Sequence, residues 1–156
     1  MTALRTASVA LVVSGQAFHW FDLATTLPEL RRILAPGGLV AAFWNRRTST
    51  PFLDEYEALL RRHSTEYGSV PGPKETIPRI KAHPLVTDLR EAEFANAQEF
   101  CREGVFGRAY SSSYVVHGVA DHAAFDRELE AIFARHQEGG KVTFAYRSVA
   151  VAWRIR

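Results

Sequence analysis

The chain has 156 residues, 47% hydrophobic and 23% charged, a balance that gives enough apolar material for a compact folded core and excludes an extended disordered chain. The formal net charge is +2, with arginines scattered among acidic residues and no basic block or basic-aromatic stripe, so nucleic acid is not expected as a partner. One cysteine, Cys101, excludes an internal disulfide and is expected as a small buried apolar residue.

The first apolar run, Val9-Ala10-Leu11-Val12-Val13 behind Arg5, is too short for a signal peptide and lacks a small-residue cleavage site. No other stretch is long enough to cross a membrane, and a cytoplasmic protein without membrane partners is expected. Ser8 to Ser14 reads instead as a strand buried on both faces, as in a parallel sheet, ending at Ser14-Gly15. Leu27, Leu30, Ile33 and Leu34 recur at helical spacing, and Pro36-Gly37-Gly38 is expected to end that helix with a left-handed glycine cap. A second buried strand is predicted over Leu39 to Asn45. Strand, helix and strand make a right-handed crossover whose functional loop is Gly15 to Asp22, at the carboxyl end of the first strand.

Phe52, Tyr56, Leu59, Leu60 and His63 share one helical face. Between Gly68 and Pro84 the prolines at 71, 73, 78 and 84 predict an irregular surface excursion. Thr87 to Ala95 reads as a strand. Phe125, Leu129, Ile132 and Phe133 predict a helix from near Asp121 to Gly139-Gly140. From Lys141 to Arg154 the alternation Val142, Phe144, Tyr146 changes phase to Val149, Val151, Trp153, which predicts one long strand with a bulge or twist near Arg147. No internal repeat is evident. The six histidines show no ligand spacing, and no metal site is expected.

Two strings carry a resemblance. Val12-Val13-Ser14-Gly15-Gln16-Ala17-Phe18-His19-Trp20-Phe21-Asp22, followed by Leu30-Arg31-Arg32-Ile33-Leu34-Ala35-Pro36-Gly37-Gly38, resembles the fourth and fifth strands of small-molecule class I S-adenosylmethionine (SAM) dependent methyltransferases, of the trans-aconitate and ubiquinone/menaquinone type. Trp44-Asn45-Arg46, Ser111-Ser112-Ser113-Tyr114 and Gly140-Lys141-Val142-Thr143-Phe144-Ala145-Tyr146 resemble the C-terminal half of that family. The resemblance implies an α/β fold over 1–156. It is a partial doubly wound, Rossmann-like sheet that lacks the N-terminal strands and closes on an antiparallel strand. The family's Gly-x-Gly-x-Gly turn and the acidic residue that holds the ribose hydroxyls are absent from the sequence, and Ala10 stands where the family usually has an acidic residue.

The resemblance further implies that Ser14, Gly15 and Gln16 touch the methionine end of SAM, that Trp20 presents its ring to the sulfonium, and that His19 accepts a proton from the acceptor. Trp44, Asn45, Phe106 and Tyr110 would line the acceptor pocket. On the plainer reading Gly15 makes a turn, Gln16 is solvated, His19 and Trp20 pack the loop, and the aromatic residues are core. Methyl transfer needs positioning more than a dedicated base, so the lack of a catalytic triad is no objection. Two functions are carried forward. One is a methyltransferase fragment or subunit acting on a small organic acceptor, completed by a glycine-rich half. The other is a non-catalytic methyltransferase-like protein that binds a partner or ligand. In either case the Val9 to Ser14 edge, with no charge or proline to protect it, is expected to pair with a second copy or with a separate N-terminal half.

Overall fold

The computed structural model describes residues 2–69 and 72–156, which divide into two compact units: Met1–Arg46, Pro71–Phe94 and Ser148–Arg156 in the first, and Arg47–Val70 and Ala95–Arg147 in the second. In the first unit, β1 (Val9–Gly15) leads through a loop to α1 (Leu23–Ile33), which returns to β2 (Leu34–Arg47), and β1 and β2 pair in parallel. Asp22 caps α1 by accepting from the Ala24 and Thr25 amides, at 3.3 and 3.1 Å, which satisfies donors that a helix start leaves open. Leu23, Leu27, Leu30 and Ile33 form its buried stripe against Val40, Ala42 and Trp44 of β2.

Three details differ from the sequence expectation. Leu34 is already extended, so α1 ends before Pro36-Gly37-Gly38, and no glycine caps it. The Pro-Gly-Gly segment instead lies inside β2, where Val9 pairs with Leu34 and Leu11 with Leu39, so two steps on β1 match five on β2. Gly37 takes φ +77 there, a value that disfavours a side chain. Second, β1 is not buried on both faces: Leu11 is 50% and Val13 56% exposed, because β1 stands at the end of the strand order β1-β2-β4-β3. Third, the proline-rich stretch that follows α2 (Pro51–His63) contains a helix, α3 (Pro73–Lys81). Pro73 sits at a helix start, where its missing N–H costs nothing, and Pro78 is exposed while Thr76, Ile77 and Ile80 face the core. Pro71 lies outside the described residues.

The second unit is built on α2, α4 (Arg102–Tyr110), the short α5 (Ser113–Val116) and α6 (His122–His136), with the ends of β3 (Val86–Cys101) and β4 (Lys141–Ile155). Phe52, Tyr56, Leu59, Leu60, Val105, Phe125, Leu129, Phe133 and Phe144 form its core. Helix α6 stops at His136, and Gly139 and Gly140, at φ +58 and +80, make the turn into β4. The phase change along β4 is present as read: Val142, Phe144 and Tyr146 are buried in one unit, Val149, Val151 and Trp153 in the other. Thr48 N–H bonds the Ala145 carbonyl at 3.0 Å while Ser148 bonds Asn45, numbering that runs in opposite directions as in an antiparallel pair. Cys101 is exposed at the end of β3, contrary to the buried role expected of it, because β3 is the other outer strand and most of its residues face away from any core.

A repeat also emerges, where none was evident from the sequence. Phe52, Glu55, Glu57, Ala58, Arg62 and His63 of α2 recur at constant spacing as Phe125, Glu128, Glu130, Ala131, Arg135 and His136 of α6. The contacts are reciprocal. His63 Nε2 meets Glu128 at 3.0 Å and His136 Nε2 meets Glu55 at 3.0 Å, while Arg62 and Arg135 join the same two carboxylates. Each histidine also sets its ring edge-on to the other helix's phenylalanine. Among the described residues no helix is long and apolar enough to cross a membrane.

Candidate functional site

The carboxyl end of β1 gathers most of the residues singled out in the sequence. Ser14 is buried, and its Oγ has no hydrogen-bond partner, a costly arrangement for a hydroxyl unless something else binds there. A Cβ at Gly15 would lie 2.7 Å from Phe43 Cζ, so a side chain there would have to displace the half-exposed Phe43 ring. Gln16 follows at φ +56, a left-handed conformation uncommon for a residue with a side chain, and its N–H bonds the Phe43 carbonyl at 2.9 Å. The strand end thus breaks its extended course at Gln16 and is held there by β2.

A short 3-10 turn, Phe18–Trp20, then fixes the loop. Phe18 is its anchor, edge-on to Trp153 at 5.2 Å and to Phe21 at 5.4 Å. His19 Nδ1 accepts from the Trp44 indole N–H at 3.1 Å, and burial holds the imidazole below its ordinary pKa, so the ring is neutral at pH 7 with its proton on Nε2. Trp20 is 60% exposed, its ring 4.7 Å from that of His19. Trp44 itself is only 2% exposed, and Asn45 Oδ1 accepts from Ser148 Oγ at 2.6 Å.

Ser14, Gly15, Gln16, His19, Trp20, Trp44 and Asn45 therefore all belong to the first unit. Phe106 and Tyr110 do not. They lie on α4 in the second unit, where Phe106 packs on the core beneath Arg102 and the Tyr110 hydroxyl donates to Asp126 Oδ1 at 2.8 Å. Sequence reading passed over Phe43, whose ring packs closely over Gly15 and whose carbonyl holds Gln16. Its alternation with buried Val40, Ala42 and Trp44 was the available signal. Beside the strand end, Leu4, Leu11, Val13, Phe18, Phe21 and Leu30 line an open apolar groove of about 590 Å³. Among the described residues no group of three or more His, Cys, Asp or Glu side chains could hold a metal.

Residues 1–42, the segment holding β1, this loop, α1 and the start of β2, match the methyltransferase domain family. An uncharacterised methyltransferase of Schizosaccharomyces pombe is 42% identical over 60 residues, which is 38% of this chain and 24% of that protein. One of Mycobacterium tuberculosis is 48% identical over 40 residues, 26% of this chain and 16% of that protein. The matched stretch thus spans a quarter or less of these relatives. Two solved structures share the fold: the YcgJ protein of Bacillus subtilis (TM-score 0.52, 14% identity, 100% of this chain and 67% of that one) and a protein of Anabaena variabilis named as a methyltransferase from an antibiotic biosynthesis pathway (TM-score 0.53, 17% identity, 96% and 69%). Together these similarities show a methyltransferase-like segment over residues 1–42 and an α/β fold. The residues present fit one end of SAM only. The strand end supplies an unpartnered hydroxyl and a left-handed backbone at Gln16, while the sequence holds no Gly-x-Gly-x-Gly turn for the rest.

Proposed function

We propose that the chain is the C-terminal portion of a SAM-dependent methyltransferase domain, acting on a small organic acceptor once residues outside this sequence, in the same or another polypeptide, supply the glycine-rich half. The observation that carries it is the β1 strand end. It lies within the matched segment and pairs a buried, unsatisfied Ser14 hydroxyl with a left-handed Gln16. In this reading Ser14, Gly15 and Gln16 hold the methionine end of SAM, and Trp20 turns a π face toward the sulfonium. When bound, SAM supplies an activated methyl group. His19, fixed by Trp44, offers the acceptor an Nε2–H donor in the bound tautomer, and serves as a base only after that bond is released. Trp44 and Asn45 position the acceptor from the same unit.

The exposed edge of β1 and the apolar groove beside it support the site of completion. Burying Leu4, Leu11, Val13 and Phe21 there is worth about 1.5–3 kcal/mol for each fully covered side chain. The occupant is a strand of the glycine-rich half or, without it, a second copy of this chain. We place this activity in the cytoplasm. The rival is a non-catalytic methyltransferase-like protein that keeps the edge for a partner or ligand. Calorimetric titration with SAM separates the two. Methyl transfer predicts no micromolar binding by this chain alone and strong binding when a glycine-rich N-terminal half is added. Absence of binding in both cases favours the rival.

A further inference from the structure

The arginine–glutamate ion pairs of the second unit lie at its surface. Arg61, Arg62, Arg102 and Arg135, all well exposed, each meet a glutamate. Arg47, the more buried of the set, has no carboxylate in ion-pair contact among the described residues. The carboxylate that it senses, Glu57, is already taken by Arg61. Withdrawing a guanidinium from water without a carboxylate in contact is costly; burial works against its charge, while Tyr67, Tyr114, Tyr56 and Glu57 hold its pKa above the ordinary arginine value.

Tyrosines pack against Arg47. Its side chain lies over the rings of Tyr56, at 5.3 Å, and Tyr67, at 5.5 Å, and one Nη donates to the Tyr67 hydroxyl at 2.7 Å. A guanidinium carries five N–H donors in a planar fork, and among the described residues the Tyr67 hydroxyl is the one hydrogen-bond partner it meets. Tyr114 stands edge-on to Tyr67 at 5.1 Å. Burial pushes the Tyr56 and Tyr67 phenols above their ordinary values, which keeps both protonated as donors at neutral pH. A second arginine, Arg108, acts on Tyr56 as well and is held by the Ser111 and Ser112 hydroxyls at 3.3 and 3.2 Å rather than by a carboxylate. We propose that Arg47, with Tyr56, Tyr67 and Tyr114, forms a binding site for the oxyanion of a small molecule, a carboxylate or a phosphoryl group. None of these residues belongs to the β1 strand-end set, so the site stands or falls apart from methyl transfer.

The test uses the chain alone, without SAM, at physiological ionic strength. Benzoate and inorganic phosphate are titrated separately by calorimetry, with Arg side-chain and Tyr ring NMR signals followed alongside. Saturable binding of benzoate identifies a carboxylate source and of phosphate a phosphoryl source; either supports the site. Arg47→Met is expected to weaken binding at least tenfold while leaving the ligand-free melting temperature unchanged or raised, since it removes a charge that no carboxylate contacts. Tyr67→Phe, which keeps Arg47 and its packing, should weaken it several-fold, and exposed Arg127→Gln should not alter it. Saturation by neither probe overturns the proposal. So does unchanged affinity in Arg47→Met or Tyr67→Phe, and so does a lowered ligand-free melting temperature in Arg47→Met, which would mark a purely structural cation.

Discussion

The Trp44 indole N–H donates to His19 Nδ1 over 3.1 Å, and this one bond determines which nitrogen of the imidazole carries the proton. Indole nitrogen only donates, so Nδ1 must accept and the neutral ring must be protonated at Nε2. Trp44→Phe should release the ring to a mixture of tautomers, visible in the ¹⁵N shifts of His19. A cost of about 1–3 kcal/mol in stability is expected from the lost bond and the smaller buried ring. A ring already mixed in the unsubstituted protein would contradict the assignment.

The same histidine gives a pH dependence with a definite sign. Burial lowers its pKa in the folded chain below 6.5, so on acidification the unfolded chain takes up the proton first. The stability that this depression provides is present above pH 6.5 and is lost as the pH falls from there through the folded-state value. Melting temperatures measured between pH 7.5 and 5 should decline less for His19→Gln than for the unsubstituted chain. Parallel curves would remove His19 from the account.

Gln16 trades stability for placement. A left-handed residue with a side chain costs about 1–2 kcal/mol, against roughly 0.5–1 kcal/mol for the extra chain entropy of glycine. Gln16→Gly is therefore expected to leave chemical-denaturation stability unchanged or raised by up to about 1 kcal/mol, and yet to weaken SAM binding in the completed protein. Loss of stability would show that the Gln16 side chain is itself a structural contact.

Glu55 is held below the ordinary carboxylate range by its hydrogen bonds from Arg135 and then His136. Its depressed value means that it stabilises the folded chain above about pH 4.5 and ceases to do so as the pH falls through the folded-state value. Glu55→Gln should lower the melting temperature at pH 6 and converge with the unsubstituted chain in strong acid. A constant offset at all pH values would point to lost packing in place of lost charge.

Val13→Lys tests the open edge. Because Val13 is exposed, the substitution should change monomer stability little, within about 0.5 kcal/mol, while a lysine on an edge strand discourages pairing. Light scattering after size exclusion at micromolar concentration should show less self-association than the unsubstituted chain. A monomer in both cases would refute pairing between copies.

How much of this was legible in the sequence depended on whether a residue's surroundings repeat along the chain. The stripe of α6 and the phase change in β4 were readable because each buried residue recurs at a regular interval. Helix α4 was not, since Gly104 and Gly107 weaken its helical signal and it buries little beyond Val105 and Ala109. The second half of β3 went unseen because Glu91 to Glu99 is exposed on both faces and so carries no alternation. At the site, Gly15, Gln16 and His19 could be picked out by motif, but their constraints come from Phe43 and Trp44, residues distant in sequence. The α2 and α6 repeat escaped because its sense lies in reciprocal contacts, which exist only once the two helices meet.

The switch of burial along β4 makes this chain unusually sensitive to parity. Up to Tyr146 the even-numbered residues are inside, and from Val149 the odd-numbered ones are. Inserting or deleting one residue on either side of the Arg147–Ser148 step would invert which side chains of that half face inward, emptying one core of Val142, Phe144 and Tyr146 or the other of Val149, Val151 and Trp153. Changes of two residues preserve both patterns. Length variation among descendants of this sequence should therefore avoid this strand or come there in pairs.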